Sequence, residues 1–190
     1  VNFRNISFNP HGNGTHTECV GHISKEFYTI NQNLKRFLFV AELITVLPVQ
    51  LENNDFVITA QQMKDHLKDC GKPEAVVIRT LSNGINKLST NYSNTNPPYM
   101  LKEAVEFLNQ LGVRHLLIDM PSLDKEVDGG DLQAHHVFWN YPESVQLDKT
   151  ITELIYVSNE INDGTYLLNL QIAPFENDAS PSKPILYKVY

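Results

Sequence analysis

The stretch His11-Gly-Asn-Gly-Thr-His16-Thr-Glu18-Cys-Val-Gly-His22 constrains this chain more than any other. Three of the seven histidines fall within these twelve residues, with a glutamate among them. Imidazole and carboxylate are the side chains that suit Zn²⁺, Mn²⁺ or Fe²⁺. His16 and Glu18 are two apart, and in an extended segment side chains at that spacing share a face. Both can then reach one ion. Gly12 and Gly14 permit the tight turns that would bring His11 back to the same point. A lone histidine is more often a surface or satisfied core residue, and the spacing is not one of the strong ligand patterns. From spacing alone, a metal site and a structural loop both stand.

The rest of the chain reads as alternating strands and helices. Residues 1–24 read as a strand leading into the histidine loop. The apolar, β-branched run 36–47 reads as a buried strand. A helix is expected from Thr59, with Thr59 as N-cap and Gln62 completing a capping box. Cys70-Gly71 would end it. His66 lies on that helix and reads as a surface residue. Residues 75–80 and 113–119 read as strands around a helix over 99–111 closed by Gly112, an α/β unit with a right-handed crossover. His115 would point away from the site or bond within the core. The Ser/Asn/Thr/Pro-rich stretch 82–98 is a long loop, either a mobile connector or a lid. Further strands are expected over 150–157, 165–171 and 183–190. There is no internal repeat, and 190 residues suit one domain, 1–190, with a sizeable core.

Gly14-Thr15-His16-Thr17-Glu18, followed by His22, resembles the signature of the cyclase family of metal-dependent hydrolases, His-x-Gly-Thr-His-x-Asp-x-Pro-x-His. Glu18 stands where that family has Asp and Val20 where it has Pro. His11 lies one residue further upstream than the family's first histidine. A second match follows in the expected order: Ile118-Asp119-Met-Pro121-Ser122-Leu-Asp124 resembles the family's Ile-Asp-Thr-Pro-Ser-Val-Asp. Asp119 and Asp124 are as well suited to turning and capping the chain as to a direct role. In Leu132-Gln-Ala-His135-His136, His135 aligns with a family metal ligand, with His136 as fallback. Glu153 fits the family's downstream glutamate, with 140–149 as an insertion, and Asp178-Ala-Ser180-Pro181 resembles a late turn. The resemblance runs from residue 10 to the end. It implies a swivelling β/β/α fold, α/β in class, with a mixed sheet and flanking helices.

The same resemblance implies the chemistry. His11, His16, Glu18, His135 and Glu153 would hold one or two divalent ions, Zn or Mn, which lower the pKa of bound water to about 7. His22 would be the general acid/base, a role that imidazole suits near neutrality. The expected activity is metal-dependent hydrolysis of an amide-type carbonyl, foremost that of arylformamidase (kynurenine formamidase), which cleaves N-formylkynurenine in tryptophan catabolism. The alternatives are a same-fold hydrolase of a cyclic amide, lactam or ester, and a non-catalytic metal-binding protein. A cysteine hydrolase using Cys19 with His22 ranks last, because no Cys-x-x-Cys supports Cys19 as nucleophile or soft ligand.

A formal net charge of −7 argues against nucleic-acid or anionic-membrane partners but does not identify a substrate; a small-molecule substrate is what the resemblance implies. Cys19 and Cys70 make no disulfide framework. No run approaches the roughly 18 apolar residues of a membrane span. No signal peptide is visible, and a cytoplasmic location is expected, although a start at Val1 rather than Met leaves room for a leader. Family members are typically oligomers, so at least a homodimer is expected.

Overall fold

A computed structural model describes residues 1–189. Its centre is an eight-stranded mixed sheet: β1 (His16–Glu18), β2 (Leu38–Val46), β5 (Ala75–Thr80), β7 (His115–Ile118), β8 (Thr150–Glu153), β9 (Gly164–Asn169), β10 (Ala179–Pro181) and β11 (Ile185–Lys188). The order is β10-β1-β8-β7-β5-β2-β9-β11, parallel through β2, β5, β7 and β8 and antiparallel at both sides. A small second sheet joins β3 (Val49–Gln50), β4 (Phe56–Ile58) and β6 (Tyr99–Met100). The expected α/β class with a mixed sheet and flanking helices is what forms.

The central strands are apolar on both faces because both are covered, as parallel strands require. One side carries α2 (Ala60–Leu67), α3 (Lys102–Leu111) and α4 (Gln133–Trp139), packed on Ile44, Ile78, Leu116 and Ile118. The other side buries Phe39, Val77, Leu117 and Leu168 beneath α1 (Ile30–Asn33) and the segment around Ile155.

The local signals hold where they are chemical. Thr59 Oγ1 accepts from Gln62 N–H, and Thr59 N–H donates to Gln62 Oε1 (3.0 Å), closing the capping box of α2. Gly112 takes the left-handed conformation, φ 90°, behind α3. Several expectations change, among them the start of the helix expected over 99–111: Tyr99–Met100 form β6 and α3 begins only at Lys102. Residues 1–15 form no strand: Phe3 and Ile6 are exposed, and without a neighbouring strand nothing satisfies an extended backbone. Helix α2 stops at Leu67, the last residue of its buried face, and Gly71 is not its cap. Strand β8 ends at Glu153, because Leu154 turns to φ 55°. Residues 179–181 are an edge strand paired with β1 rather than a turn, and an edge position tolerates Pro181. The terminal strand is Ile185–Lys188; the expected end at Tyr190 lies outside the described residues.

His115 is buried as expected, with Nδ1 2.9 Å from Thr150 Oγ1 and its ring against Phe39. Burial, helped by Arg36, pushes its pKa down from 6.5 to about 4. Its contribution to stability is therefore complete above pH 6.5 and is lost as pH falls from 6.5 toward 4, because the unfolded chain takes up a proton that the folded one refuses. The loss is on the order of 3 kcal/mol by the usual conversion. Urea unfolding at pH 7, 5.5 and 4.5 is expected to show this decline, and His115→Gln to flatten it. Equal slopes in the two proteins would remove His115 as the cause.

Candidate metal centre

The residues of the histidine stretch meet at the β10-β1-β8 side of the sheet. Alternation along β1 sends His16 and Glu18 to one face, both fully buried. Thr17, on the other face, bonds Thr152 Oγ1 and Ser182 Oγ. The β1–β8 register sets His16 directly opposite Glu153. After Cys19 the chain makes one 3-10 turn over Val20–His22, which returns His22 to the cluster. Gly21 is required there, because a Cβ would lie 2.1 Å from the Tyr28 carbonyl oxygen. Helix α4 delivers His135. Its first turn is held by Asp124, whose carboxylate accepts from Ala134 N–H (2.8 Å) and His135 N–H (3.0 Å).

The hydrogen bonds fix which nitrogen of each ring is free. His11 Nε2–H donates to Asp178 Oδ2 (2.7 Å). His16 Nδ1–H donates to the Gly14 carbonyl (3.0 Å), and His135 Nδ1–H to Asp124 Oδ2 (2.6 Å). A carbonyl or ionised carboxylate can only accept, so each ring spends its N–H outward and a neutral ring turns its lone pair inward. Those inward nitrogens converge on Glu18: His11 Nδ1 at 3.1 Å, His135 Nε2 at 3.2 Å and His16 Nε2 at 3.8 Å. Glu153 closes the ring, 3.4 Å from His16 Nε2 and 3.7 Å from His135 Nε2, while Leu123 N–H steadies its Oε1 (2.9 Å).

These inner contacts lack hydrogen-bond geometry. His16 Nε2, His135 Nε2 and both oxygens of Glu18 are buried polar atoms with no hydrogen-bond partner. Four such atoms at one point are costly unless something shared satisfies them. Their separations suit a cation, since ligands of a tetrahedral Zn²⁺ lie roughly 3.3 Å from one another. The donor set therefore fits a divalent ion. Each imidazole also has the outward N–H acceptor characteristic of metal-bound histidine.

Charge follows geometry. Burial alone would lower His11, but its bond to Asp178 and the Glu18 carboxylate beside it lift it to about 10. His135 likewise stands well above its usual value, against burial, through Asp124, Glu153 and Glu18. Against its own burial, Glu18 is held well below the usual carboxylate range by His11 and His135. Protons and a cation compete for the same nitrogens, so ion binding should release protons and tighten as pH rises.

All six expected site residues, His11, His16, Glu18, His22, His135 and Glu153, come together. His22 stands at the rim, with Nδ1 3.5 Å from Asp178 Oδ2 and 3.9 Å from Glu18 Oε2. His136 does not join: its Nδ1 faces the Tyr141 carbonyl. His66 is exposed, as expected. Cys19 is fully buried, with Sγ directed at the Tyr28 carbonyl (3.7 Å), and burial pushes its thiol up to about 11, against the thiolate that a nucleophile or soft ligand needs. Asp178 is the participant that the sequence reading left as a turn residue. Its pKa lies well below the usual range because His11 and His22 bond it. Asp119 is structural, accepting from Thr80 N–H, Thr80 Oγ1 and Lys87 Nζ.

A cleft of about 870 Å³ opens beside His11 and Thr15. The 82–98 loop walls it through Lys87, Leu88 and Tyr92, opposite Ile155 and Tyr156, which is the lid placement rather than that of a remote connector.

Asp124 can be tested directly. Asp124→Ala is expected to lower metal affinity 10- to 100-fold, the usual cost of losing a carboxylate behind a ligating imidazole. Competition against a chromogenic chelator measures it; unchanged affinity would confine Asp124 to capping α4.

Comparison with known proteins shows the family and the fold. The cyclase family model, described as "Putative cyclase", matches residues 2–125. A kynurenine formamidase of Bacillus thuringiensis (strain Al Hakam) is 26% identical over 98% of this chain and 80% of its own length. That of Bacillus cytotoxicus is 33% identical over 47% of this chain; that match spans only 39% of the relative. Two solved structures share the fold. One, described as a "potential metal-dependent hydrolase with cyclase activity", has a TM-score of 0.70 at 18% identity, covering 96% of this chain and 81% of that one. The other, an isatin hydrolase bound to the product analogue thioisatinate, has a TM-score of 0.66 at 16% identity, covering 94% and 72%. No helix among the described residues is long and apolar enough to cross a membrane.

Proposed function

This chain belongs to the cyclase family, and we propose that it is a metal-dependent hydrolase of N-formyl aryl amides, an arylformamidase acting on N-formylkynurenine in tryptophan catabolism. The observation that carries the hydrolase reading is the convergence of three imidazole nitrogens on the unsatisfied, buried Glu18, with Glu153 facing two of those same nitrogens, His16 Nε2 and His135 Nε2. The relatives named kynurenine formamidase support the substrate.

In this reading His11, His16, Glu18, His135 and Glu153 would hold one or two divalent ions, Zn or Mn. When bound, the ion polarises a carbonyl and makes water acidic enough to attack near neutral pH. The protein does the rest. Asp178, Gly14 and Asp124 orient the three ligating imidazoles from behind. His22 Nδ1 faces the carboxylates of Asp178 (3.5 Å) and Glu18 (3.9 Å), and Nε2 has no ion-pair partner among the described residues. That nitrogen is free to take a proton from water and return it to the leaving amine. Leu88, Ile155 and Tyr156 give an aryl group apolar walls. The same reading takes the chain as one domain, homodimeric and cytoplasmic, with a small-molecule substrate and neither nucleic acid nor membrane as partner.

Hydrolysis of a cyclic amide, lactam or ester is the second reading, favoured by the fold shared with isatin hydrolase and by a cleft roomy enough for a bicyclic ligand. Metal-loaded protein offered N-formylkynurenine, formanilide, isatin, a simple lactam and phenyl acetate separates the two. A kcat/KM at least tenfold higher on the formyl aryl amides is expected. Turnover confined to isatin, lactam or ester would install the second reading, and turnover of none would leave a metal-binding protein.

A further inference from the structure

The geometry points to Asp178 as a positioning residue that sets His22 for proton transfer while backing His11 as a ligand. One oxygen serves both rings: Oδ2 is 2.7 Å from His11 Nε2 and 3.5 Å from His22 Nδ1. The two imidazoles stack at 4.3 Å between centroids with 28° between planes, so that both edges meet this carboxylate. Fixing His22 by Nδ1 leaves Nε2 as the nitrogen able to exchange a proton. Without Asp178 the half-exposed ring can rotate about its own bonds. Its one other carboxylate contact, Glu18 at 3.9 Å, belongs to the ligand cluster.

The backbone shows that this position is built. Cys19 N–H donates to the Asp178 carbonyl (3.0 Å), and Ile30 N–H to the Asn177 carbonyl (2.8 Å). The next residue, Ala179, pairs with Glu18 in the β1–β10 ladder. Asp178 is thus tied by main-chain bonds to the strand that presents His16 and Glu18. The turn carrying His22 comes close from the other side: a Cβ on Gly21 would stand 3.2 Å from Asp178 Cβ. A carboxylate fixed to the ligand strand on one side and a glycine turn on the other gives His22 a defined place on a partly open rim.

This inference rests on the proposed hydrolase activity for its kinetic arm and has an arm independent of it. Asp178→Ala and Asp178→Asn are compared with wild type, each loaded with excess Zn²⁺ or Mn²⁺ and assayed for bound metal per chain. On the best substrate of the panel, Asp178→Ala is expected to lose roughly 100-fold or more in kcat, the scale of a positioned proton donor. KM should change less than about threefold, with metal retained under excess. Asp178→Asn, which keeps an oxygen acceptor, should recover most of the loss. Crystal structures of wild type and Asp178→Ala supply the independent arm: the His22 ring, ordered in the first, is expected to rotate or disorder in the second while His16 and His135 stay in place. An unmoved His22 ring, or an unchanged kcat, overturns the inference. If wild type turns over nothing in the panel, the proposed function fails, and the ring position alone decides the role of Asp178.

Discussion

His22→Ala is expected to keep its metal and lose its turnover. Assayed after loading, the variant should hold the same ions per chain as wild type, with kcat reduced 10²- to 10⁴-fold, the range for removing a general acid/base. The basis is position. Every other histidine of the cluster has one nitrogen bonded outward and the other facing Glu18, whereas His22 stands at the exposed rim with one nitrogen, Nδ1, facing both Asp178 (3.5 Å) and Glu18 (3.9 Å). Removing it opens no buried hole and leaves the other donors in place. A variant that loses both metal and activity would instead make His22 a ligand, and the acid/base role would have to move elsewhere.

Glu18→Gln should have the opposite signature. Glu18 is the one side chain that His11, His16, His22 and His135 all approach, from 3.1 to 3.9 Å. Glutamine preserves shape and removes the charge. It also places an amide N–H₂ among nitrogens whose outward protons are already committed. Loss of a ligand must exceed loss of a group behind one, so affinity should fall by more than about 100-fold. Activity should fall with the metal and return in part at high metal concentration. A Glu18→Gln protein that binds metal normally would mean that the cation sits outside this cluster.

How much of this could be read from the sequence depends on distance along the chain. His11, His16, Glu18 and His22 lie in one short segment, and the i, i+2 spacing of His16 and Glu18 became a shared strand face. His135 and Glu153 were legible only through family resemblance, because spacing says nothing about a helix and a strand more than a hundred residues away. Asp178 was read as a turn. What makes it a site residue is the antiparallel pairing of β10 with β1, which joins positions some 160 residues apart. Asp124 offered two roles in the sequence and takes both, capping α4 and backing His135. Long apolar runs announced β2 and β5, whereas the second sheet is built of strands of two or three residues, below what alternation can reveal. The capping box of α2 was plain because its chemistry is local; the start of β1 was not, because a strand exists only where a partner does.

The most direct test is metal content per chain by elemental analysis, on protein purified without chelator or metal-affinity steps, with Glu18→Gln beside it. One or two equivalents of Zn or Mn in wild type, lost in the variant, is the expected result. Wild-type protein without bound metal that takes up none from excess would contradict the account: the convergent imidazoles would then be a proton-balanced structural cluster, and hydrolysis at this site would fall with the metal.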